Sequence, residues 1–421
     1  MPTDADGDLS REFARALDAQ NPLSALHDRF VTGDAIVYLG GNRLGRLPKA
    51  TAEALATMVR DEWGHELARA WPAWIERLET VGDALGRTVL GVTEGQTTLA
   101  DSTTVSLFKA VSAAIALRPQ RTALLIERDA FSTDRFVLQS VARTHGLQIR
   151  TVASDINTGL TEDAVRAAAG SDVAVGCFSH VSYRSGAAAD LPAITRALHD
   201  VGALAVWDLS HSAGAIRTPL AASGADFAVG CTHKYLNSGP GAPAFVYVKA
   251  EHLEAAAHPV PGWFSHDSSA DSLQYRPVRG IGRFWSGTPN MFGVTAVEES
   301  VAIVADAGIG RIEQLARLLT GYALKLTDEL LTHLGWSIAS PRNASRRGAH
   351  LSIRHDDAWQ IYQALSARGV VAGFRGPLRL RLGLAPLTTS FEDVWIAVEQ
   401  IAEITRTGSY RHFPIDGAPS D

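Results

Sequence analysis

The sequence predicts an α/β protein with a mostly parallel sheet in a large lobe and a smaller C-terminal α+β lobe. The chain has 421 residues, 46% of them hydrophobic, which is enough for more than one core. Its middle region alternates short apolar runs with helix-like segments. Beyond residue 293 the pattern changes to long helical stretches followed by short strands.

The apolar runs of the middle region are rich in β-branched residues. They are TALLIE (122–127), VAVGCF (173–178), ALAVWD (203–208) and DFAVGC (226–231). Helix-like segments such as LPAITRALHDVG (191–202) separate them. This alternation is typical of βαβ units, in which parallel strands are covered by helices on both faces.

Two long helical segments follow GTPNMFG (287–293), namely AVEESVAIVADAG (296–308) and RIEQLARLLTGYALKLTDELLTHLG (311–335). Short strands are predicted after them, near His350 and Arg379. We therefore predict an N-terminal segment (1–45) that packs with the small lobe, a large lobe (46–300) and a small lobe (301–421). The hinge between the lobes is expected around residue 300.

Composition excludes several classes of function. A net charge of −6 without a long basic block argues against a nucleic-acid surface. Cys177 and Cys231 cannot supply a disulfide framework, and without a CxxC pair we predict no metal site. The acidic start MPTDADGDLSREF lacks a signal-peptide pattern, and no apolar run reaches the roughly 18 residues of a membrane span. We expect a soluble, cytoplasmic protein with no membrane partner.

Chemically distinctive side chains follow the predicted strands. Asp208 ends one strand and is followed by His211, Lys234 comes after another, and Phe131 and Asp134 come after a third. Ligands of open α/β sheets bind beyond these carboxyl ends. A lysine for an imine, a carboxylate for a ring nitrogen and a flat side chain for stacking are what a pyridine-aldehyde cofactor needs.

Taken singly, each of these residues has an ordinary structural explanation. Lys234 could be a surface lysine in a turn, and Asp208 could cap a helix. Phe131 could belong to the core, and His211 could be a buried structural histidine. Lysine is nevertheless scarce, occurring only at Lys49, Lys109, Lys234, Lys249 and Lys325. The joint placement at strand ends therefore favours a site.

The motifs around these residues resemble the kynureninase family. WDLSHSAG (207–214), HKYLNSGPGAPAF (233–245) and GWFSH (262–266) occur in the family's order. The resemblance extends through YLGGNRLGRLPK (38–49), GHELARAW (64–71), DSTTVSLFK (101–109), DAFSTD (129–134) and RLGLAPLTTSF (381–391). It implies a pyridoxal-phosphate enzyme of fold type I, of the kind found in class V aminotransferases, that acts as a homodimer on a small amino-acid substrate.

The resemblance also implies roles for individual residues. Lys234 would form the imine with the cofactor and move the α-proton, and Asp208 would pair with the ring nitrogen beside His211. Phe131 would stack on the ring with Asp134 close to it. The phosphate would be held by Thr103 and Thr104, at a predicted helix start, and across a dimer interface by Trp263 and Thr288. Arg381 would bind the substrate α-carboxylate, and the substrate pocket would include His65, Phe264, Asn42 and Arg43.

Two positions depart from the family pattern. The residue before the lysine is His233 instead of tyrosine, which replaces a phenol near the phosphate with an imidazole that can still shuttle protons. In GGNRLG, Arg43 stands where the family usually has serine, which adds a cation near the substrate entrance. Arg43 would then admit an acidic or ring-substituted substrate, or simply point to solvent.

The implied reaction is hydrolysis of L-kynurenine, or of a ring-substituted kynurenine such as 3-hydroxykynurenine, to an anthranilate and L-alanine. The departures also favour a specialised relative that acts in secondary metabolism. Two alternatives stay open: a β- or γ-lyase of the carbon–sulfur type, favoured by His233 and Arg43, and a non-catalytic protein that binds pyridoxal phosphate. A cysteine desulfurase would need a nucleophilic cysteine on a late loop, where this chain has none.

Overall fold

The computed structural model describes residues 9–33, 36–270 and 273–418. Residues 1–8, 34 and 35 of the predicted N-terminal segment, residues 271 and 272 of the predicted large lobe and residues 419–421 of the predicted small lobe lie outside these ranges. Most of the acidic start therefore lies outside the described residues. The strands are β1 (Val37–Tyr38), β2 (Thr97–Ala100), β3 (Ala123–Glu127), β4 (Gln148–Val152), β5 (Val173–Ser179), β6 (Leu204–Asp208), β7 (Phe227–Gly230), β8 (Ala244–Val248), β9 (Ser337–Ile338), β10 (His350–Arg354), β11 (Val370–Val371), β12 (Gly373–Arg375) and β13 (Arg379–Gly383).

The α-helices are α1 (Arg11–Ala19), α2 (Lys49–Thr57), α3 (Trp71–Leu85), α4 (Thr103–Ala116), α5 (Ser132–His145), α6 (Glu162–Ala168), α7 (Leu191–His199), α8 (Leu220–Ser223), α9 (Met291–Ala307), α10 (Ile309–Leu330), α11 (Ala358–Ala367) and α12 (Phe391–Thr407). Two π-helical segments, Met58–Glu66 and Gly86–Leu90, flank α3. No helix in the described part of the chain is both long and apolar enough to cross a membrane.

The large lobe is built on a seven-stranded sheet in the order β2-β8-β7-β6-β5-β3-β4. All its strands run parallel except β8, which is antiparallel to both of its neighbours. Every residue of β3, β6, β7 and β8 is buried, as expected when helices cover both faces of a sheet. The four predicted apolar runs correspond to β3, β5, β6 and β7, which confirms the predicted fold class.

The small lobe contains an antiparallel sheet in the order β12-β13-β10-β9, with α10 and α11 packed against it and α12 packed on α10 and α11. Helix α1 packs against α12, and the carboxylate of Asp18 accepts hydrogen bonds from the backbone N–H groups of Phe391 (2.8 Å) and Glu392 (3.0 Å). Because these N–H groups belong to the first turn of α12, the N-terminal segment supplies them with an acceptor.

The connection between the lobes is helical. Residue 300 lies inside α9, and the chain turns at Gly308, whose φ of +76° suits glycine, before α10 begins. The chain therefore passes residue 300 without a break in the helix. The division into three parts at residues 45 and 300 stays a prediction.

Candidate active site

A cavity of about 670 Å³ lies beyond the carboxyl ends of the parallel strands. This is where ligands bind in open α/β sheets. Most of the predicted cofactor residues line it: Thr103, Thr104, Phe131, Asp134, Asp208, His211, His233, Lys234 and Thr288. The structure therefore brings together side chains that follow several different strands.

Lys234 lies in the loop after β7, with its amine in the cavity. Its Nζ is 3.1 Å from Nε2 of His211, which follows β6. The loop turns tightly: the N–H of Asn237 donates to the carbonyl of Lys234 (2.9 Å), and Asn237 has a φ of +60°. Asparagine tolerates this left-handed conformation better than most residues. The turn therefore fixes the backbone of Lys234, and the side-chain amine contacts His211.

Asp208 and Asp134 form a buried pair of acids beneath the lysine. Asp208 accepts a hydrogen bond from the N–H of Ser210 (2.8 Å), and Asp134 accepts one from Ser179 Oγ (3.4 Å). Burial, and then the charge of Asp208, raise the pKa of Asp134 well above its usual range. Within the described ranges, neither carboxylate pairs with an arginine or a lysine at salt-bridge distance. Such a pair suits a cationic ring nitrogen.

His211 is a neutral imidazole in this environment. Burial is the main cause that lowers its pKa well below the usual range, and the charge of Lys234 adds to the effect. Its Nδ1 is buried and has no hydrogen-bond partner among the described residues. The ring packs against His350 at 5.5 Å between centroids. A neutral His211 can accept a hydrogen bond from Lys234, whichever charge the lysine carries.

The start of α4 forms the end of the cavity suited to a phosphate. Ser102 caps the helix through its side chain, which accepts from the N–H of Val105 (3.4 Å), and Thr103 and Thr104 occupy the first turn. A helix N-terminus with hydroxyl groups favours an anion. Together with Lys234 and the acid pair, these groups fit pyridoxal phosphate at both its phosphate and its ring ends.

The aromatic wall of the cavity contains one predicted residue and two that sequence reasoning missed. Phe131 packs edge to face against Tyr183 at 5.4 Å, and Trp285 completes the lining. Tyr183 follows β5, so the rule that sites lie at strand ends could have identified it. Trp285 lies three residues before Thr288, and no signal in its own stretch pointed to it.

His233 lines the cavity beside the lysine. Burial, reinforced by the charge of Lys234, lowers the pKa of His233 to about 4. The imidazole is therefore neutral near pH 7. The backbone carbonyl of His233 accepts a hydrogen bond from the N–H of Gly45 (2.8 Å). This bond joins the loop after β7 that carries Lys234, called the lysine loop below, to the segment that follows YLGGN (38–42).

Arg381 lies just behind the cavity. Its side chain is buried, and Nη1 donates to the carbonyl of Tyr183, a residue of the cavity wall. Asn42 is also buried and lies against Gly383 on the same strand as Arg381. Arg43 is exposed, and its Cδ would be 3.6 Å from a Cβ built on Gly373. None of these three predicted substrate residues lines the cavity itself.

The remaining predicted residues lie farther out. His65 is exposed, and its Nδ1 is 3.6 Å from Oδ1 of Asp61. Trp263 is 65% exposed, and its ring packs on that of Phe264 with 4.4 Å between the centroids. The ring of Phe264 in turn packs on that of Trp285, with 6.3 Å between the centroids. Phe264 therefore forms a second layer behind the cavity wall. The roles of these residues, and a contact of Trp263 or Thr288 with a partner subunit, stay predictions.

The two cysteines are both free and buried. Burial is the main cause that raises the pKa of Cys177 well above its usual range and also raises that of Cys231. A thiol held in its protonated form is a poor nucleophile. Although Cys231 lines the cavity, it does not resemble an activated thiolate.

The sequence is similar to kynureninases over nearly its whole length. The family model described as the kynureninase C-terminal domain matches residues 312–401. The kynureninase of Pseudomonas fluorescens is 34% identical over 404 residues, covering 94% of this chain and 95% of the relative. That of Burkholderia pseudomallei (strain K96243) is 34% identical over 413 residues, covering 96% and 97%.

Solved structures with similar folds are more distant in sequence. A cysteine desulfurase of Thermococcus onnurineus NA1 has a TM-score of 0.79 at 18% identity, covering 91% of this chain and 98% of its own. The cystine C–S lyase C-DES, solved with its product cysteine persulfide, has a TM-score of 0.77 at 17% identity, covering 88% and 98%. A C-DES variant with glycine covalently linked to its PLP cofactor has a TM-score of 0.78 at 16% identity, covering 90% and 99%. These three likenesses show a shared fold.

Proposed function

The chain belongs to the kynureninase family, and on this premise we propose that it hydrolyses L-kynurenine or a ring-substituted kynurenine with pyridoxal phosphate as cofactor. The products are the corresponding anthranilate and L-alanine. One observation carries the proposal: the amine of Lys234 and the buried acid pair Asp208 and Asp134 face one cavity at the strand ends.

The residues of the cavity divide the work of holding the cofactor. Pyridoxal phosphate, when bound, supplies an electron sink for negative charge at the α- and β-carbons of an amino acid. Lys234 would hold its aldehyde carbon, and Asp208 would keep its ring nitrogen protonated. Thr103 and Thr104 would bind the phosphate at the start of α4. Phe131 would cover one face of the ring.

Two groups of the chain, Lys234 and His233, would transfer protons. The free amine of Lys234 can take the α-proton, while neutral His211 accepts a hydrogen bond from Nζ and fixes its direction. His233 is also neutral, so its ring offers one donor and one acceptor at the cavity wall. We assign His233 as the second acid–base group, in place of the tyrosine found in the family pattern.

The overall reaction adds water across the bond between the β- and γ-carbons of the substrate. The water oxygen joins the γ-carbonyl carbon, which leaves as the aryl carboxylate. The β-carbon takes a proton and becomes the methyl group of alanine. Arg381 would hold the α-carboxylate, because a guanidinium fork matches a carboxylate with two hydrogen bonds.

Arg43 supports the finer proposal that the substrate ring carries a polar substituent. Its side chain is exposed, and both its Cδ (3.6 Å) and Arg381 Nε (3.5 Å) approach the position of a Cβ on Gly373. A second cation near the carboxylate arginine favours electron-rich or acidic substrates. A role in secondary metabolism and a cytoplasmic location accompany this proposal as predictions.

We also propose a homodimer. Three aromatic side chains are exposed: Trp63 (54%) and Phe292 (43%), whose ring centroids are 6.1 Å apart, and Trp263 (65%). Exposed apolar patches mark interaction surfaces. Mixing a Lys234→Ala variant with a Trp263→Ala variant tests whether one subunit completes the other's site, since activity would then return in the mixture. No recovery from an exchanged dimer would place Trp263 outside its partner's site.

The test of the proposed function is a mass-resolved assay of the cofactor-loaded protein with kynurenine, 3-hydroxykynurenine and cystine. We expect anthranilate or 3-hydroxyanthranilate together with alanine, and no aryl acid from the Lys234→Ala variant. Cleavage of cystine without release of an aryl acid would favour the carbon–sulfur lyase alternative, supported by His233 and Arg43. A cofactor-loaded protein that cleaves none of the three would support the non-catalytic alternative.

A further inference from the structure

The loop of residues 39–45 connects the lysine loop to the strand that carries Arg381. At one end, the N–H of Gly383 donates to the carbonyl of Leu39 (2.8 Å). At the other end, the N–H of Gly45 donates to the carbonyl of His233 (2.8 Å). A segment from the N-terminal part of the chain thus spans the two groups expected to handle the substrate's amino-acid end.

Asn42, at the centre of this loop, has an unsatisfied side chain. It is 1% exposed, and neither Oδ1 nor Nδ2 has a hydrogen-bond partner in the part of the chain that the structure describes. A buried amide without partners costs roughly 1–3 kcal/mol. Buried polar groups that lack a protein partner usually bind a ligand, an ion or an ordered water.

The position of the amide depends on a glycine. A Cβ on Gly383 would lie 2.2 Å from Asn42 Oδ1 and 2.7 Å from its Cγ. The oxygen therefore lies over Gly383, and Nδ2 is directed away from it. Any side chain at residue 383 would displace the amide. Asn42 can therefore occupy this place only because residue 383 is glycine.

The surface beneath Asn42 also holds a cation. Arg381 and Gly383 are two residues apart on β13, so they share one face of the small sheet. His350 pairs with Gly383 across the strands and lies on that face as well. Arg381 is 1% exposed and His350 is fully buried. A buried cation beside an amide donor is a favourable setting for a carboxylate.

His350 adds a neutral ring to this setting. Burial, the charge of Arg381 and then that of Lys234 lower the pKa of His350 well below its usual range. The backbones of Ser182 and Tyr183 act on this pKa in the opposite direction, with a smaller effect. Arg381 is therefore the cation that faces Asn42 on this surface.

We propose that Asn42 is a substrate-contacting residue that donates a hydrogen bond from Nδ2 to the α-carboxylate held by Arg381. This inference rests on the proposed function, because it assigns the carboxylate end of that site. It also accounts for the anchoring of residues 39–45 to both the lysine loop and β13, since this loop carries a donor that must be held at a fixed place beside the substrate.

The test compares two ligands that differ only in the carboxylate, L-alanine and ethylamine. Each is titrated into the cofactor-loaded protein, and binding is followed by cofactor absorbance and by calorimetry. We expect Asn42→Ala to weaken L-alanine binding about tenfold, the size of one hydrogen bond to a charged group, and to leave ethylamine binding unchanged. Asn42→Asp should weaken L-alanine further and should not weaken ethylamine, because it places a negative charge beside the carboxylate.

Two further variants separate this role from a structural one. Asn21→Asp is the matched control, since Asn21 is also buried but its Oδ1 accepts from the N–H of Leu23 (3.0 Å). It should change the melting temperature without changing the preference between the ligands. Asn42→Ser keeps a hydrogen-bond donor in a smaller side chain. If Asn42→Ala fails to fold, the binding of L-alanine and ethylamine is measured on Asn42→Ser instead. It should recover part of the L-alanine affinity.

Equal losses for both ligands, or unchanged L-alanine binding in Asn42→Ala, would overturn the proposal and leave the amide to an ordered water. A wild-type protein that binds L-alanine no better than ethylamine would overturn it as well. Failure of the proposed function is a separate result. If kynurenine is not cleaved but Asn42 still controls the preference for L-alanine, the carboxylate contact stands and the reaction must be reassigned.

Discussion

Lys234 Nζ lies 3.1 Å from His211 Nε2, although the two residues follow different strands of the sheet. Burial keeps His211 neutral by lowering its pKa, so Nε2 can accept a hydrogen bond from the lysine without competing for its proton. The lysine amine is thereby held towards the cavity.

Lys234 should be the residue that holds the cofactor. Lys234→Ala should abolish the long-wavelength imine absorbance of the cofactor and all turnover, because no other described lysine lines the cavity. Absorbance spectra after gel filtration provide the measurement. Lys249→Ala is the matched control, since Lys249 pairs with Glu251 (2.8 Å) away from the cavity. An unchanged spectrum in Lys234→Ala would refute the assignment.

The two buried acids should respond differently to the same substitution. Asp208→Asn should lower kcat roughly 100-fold or more, since it removes an electrostatic group from the reacting site. Asp134→Asn should cost much less activity, because the raised pKa of Asp134 already favours its neutral form. Steady-state kinetics of both variants provide the comparison. Equal losses would show that Asp134 works as an ionised group.

Asp134 should also affect stability in the cofactor-free protein. Its folded-state pKa is raised, so the unfolded state binds fewer protons above the usual pKa of an aspartate, and stability falls as pH rises from there. Asp134→Asn should therefore raise the melting temperature at pH 7 more than at pH 4. Melting curves across this range measure the difference, and a uniform shift at all pH values would contradict it.

His233 should make the protein less stable in acid. Its pKa is lowered to about 4, so between about pH 6.5 and pH 4 the unfolded state binds more protons and stability falls as pH falls. His233→Tyr should reduce this slope and should change the pH dependence of kcat. His145→Gln, at an exposed position, is the control and should do neither. If stability still falls as steeply with pH in His233→Tyr, other groups cause the loss of stability in acid.

Arg381 should determine substrate affinity while leaving the cofactor bound. Arg381→Ala should raise KM roughly 10- to 100-fold, because hydrogen bonds to a charged carboxylate are lost. Arg381→Lys should recover only part of this loss, since an ammonium cannot form the two-pronged contact. Cofactor content from absorbance is the control. Normal substrate binding in Arg381→Ala would exclude the assigned role.

Arg43→Ser restores the residue usual in the family pattern and tests the ring preference. We expect the ratio of kcat/KM for 3-hydroxykynurenine over kynurenine to fall, and the wild-type preference to weaken as salt rises, because Arg43 is exposed and therefore screened. Arg69→Ser, at another exposed arginine, is the control. A ratio that does not change with Arg43→Ser would leave this arginine as a solvated surface residue.

The sequence by itself determined the fold class and the centre of the site. Short β-branched runs alternating with helical segments allow little besides a parallel sheet, and the ends of such strands meet at one edge. For that reason the sequence alone predicts one cavity for Asp208, Lys234, Phe131 and Asp134. These inferences depend on local pattern and on a general property of α/β sheets.

The tertiary structure decided what depends on contacts between distant parts of the chain. Only the packing of residues 39–45 on β13 places Asn42 over Gly383, and only the loop after β5 places Tyr183 between Arg381 and the cavity. It also decided the protonation of His211, His233 and Asp134, because burial shifts a pKa through surroundings that no single stretch of sequence contains.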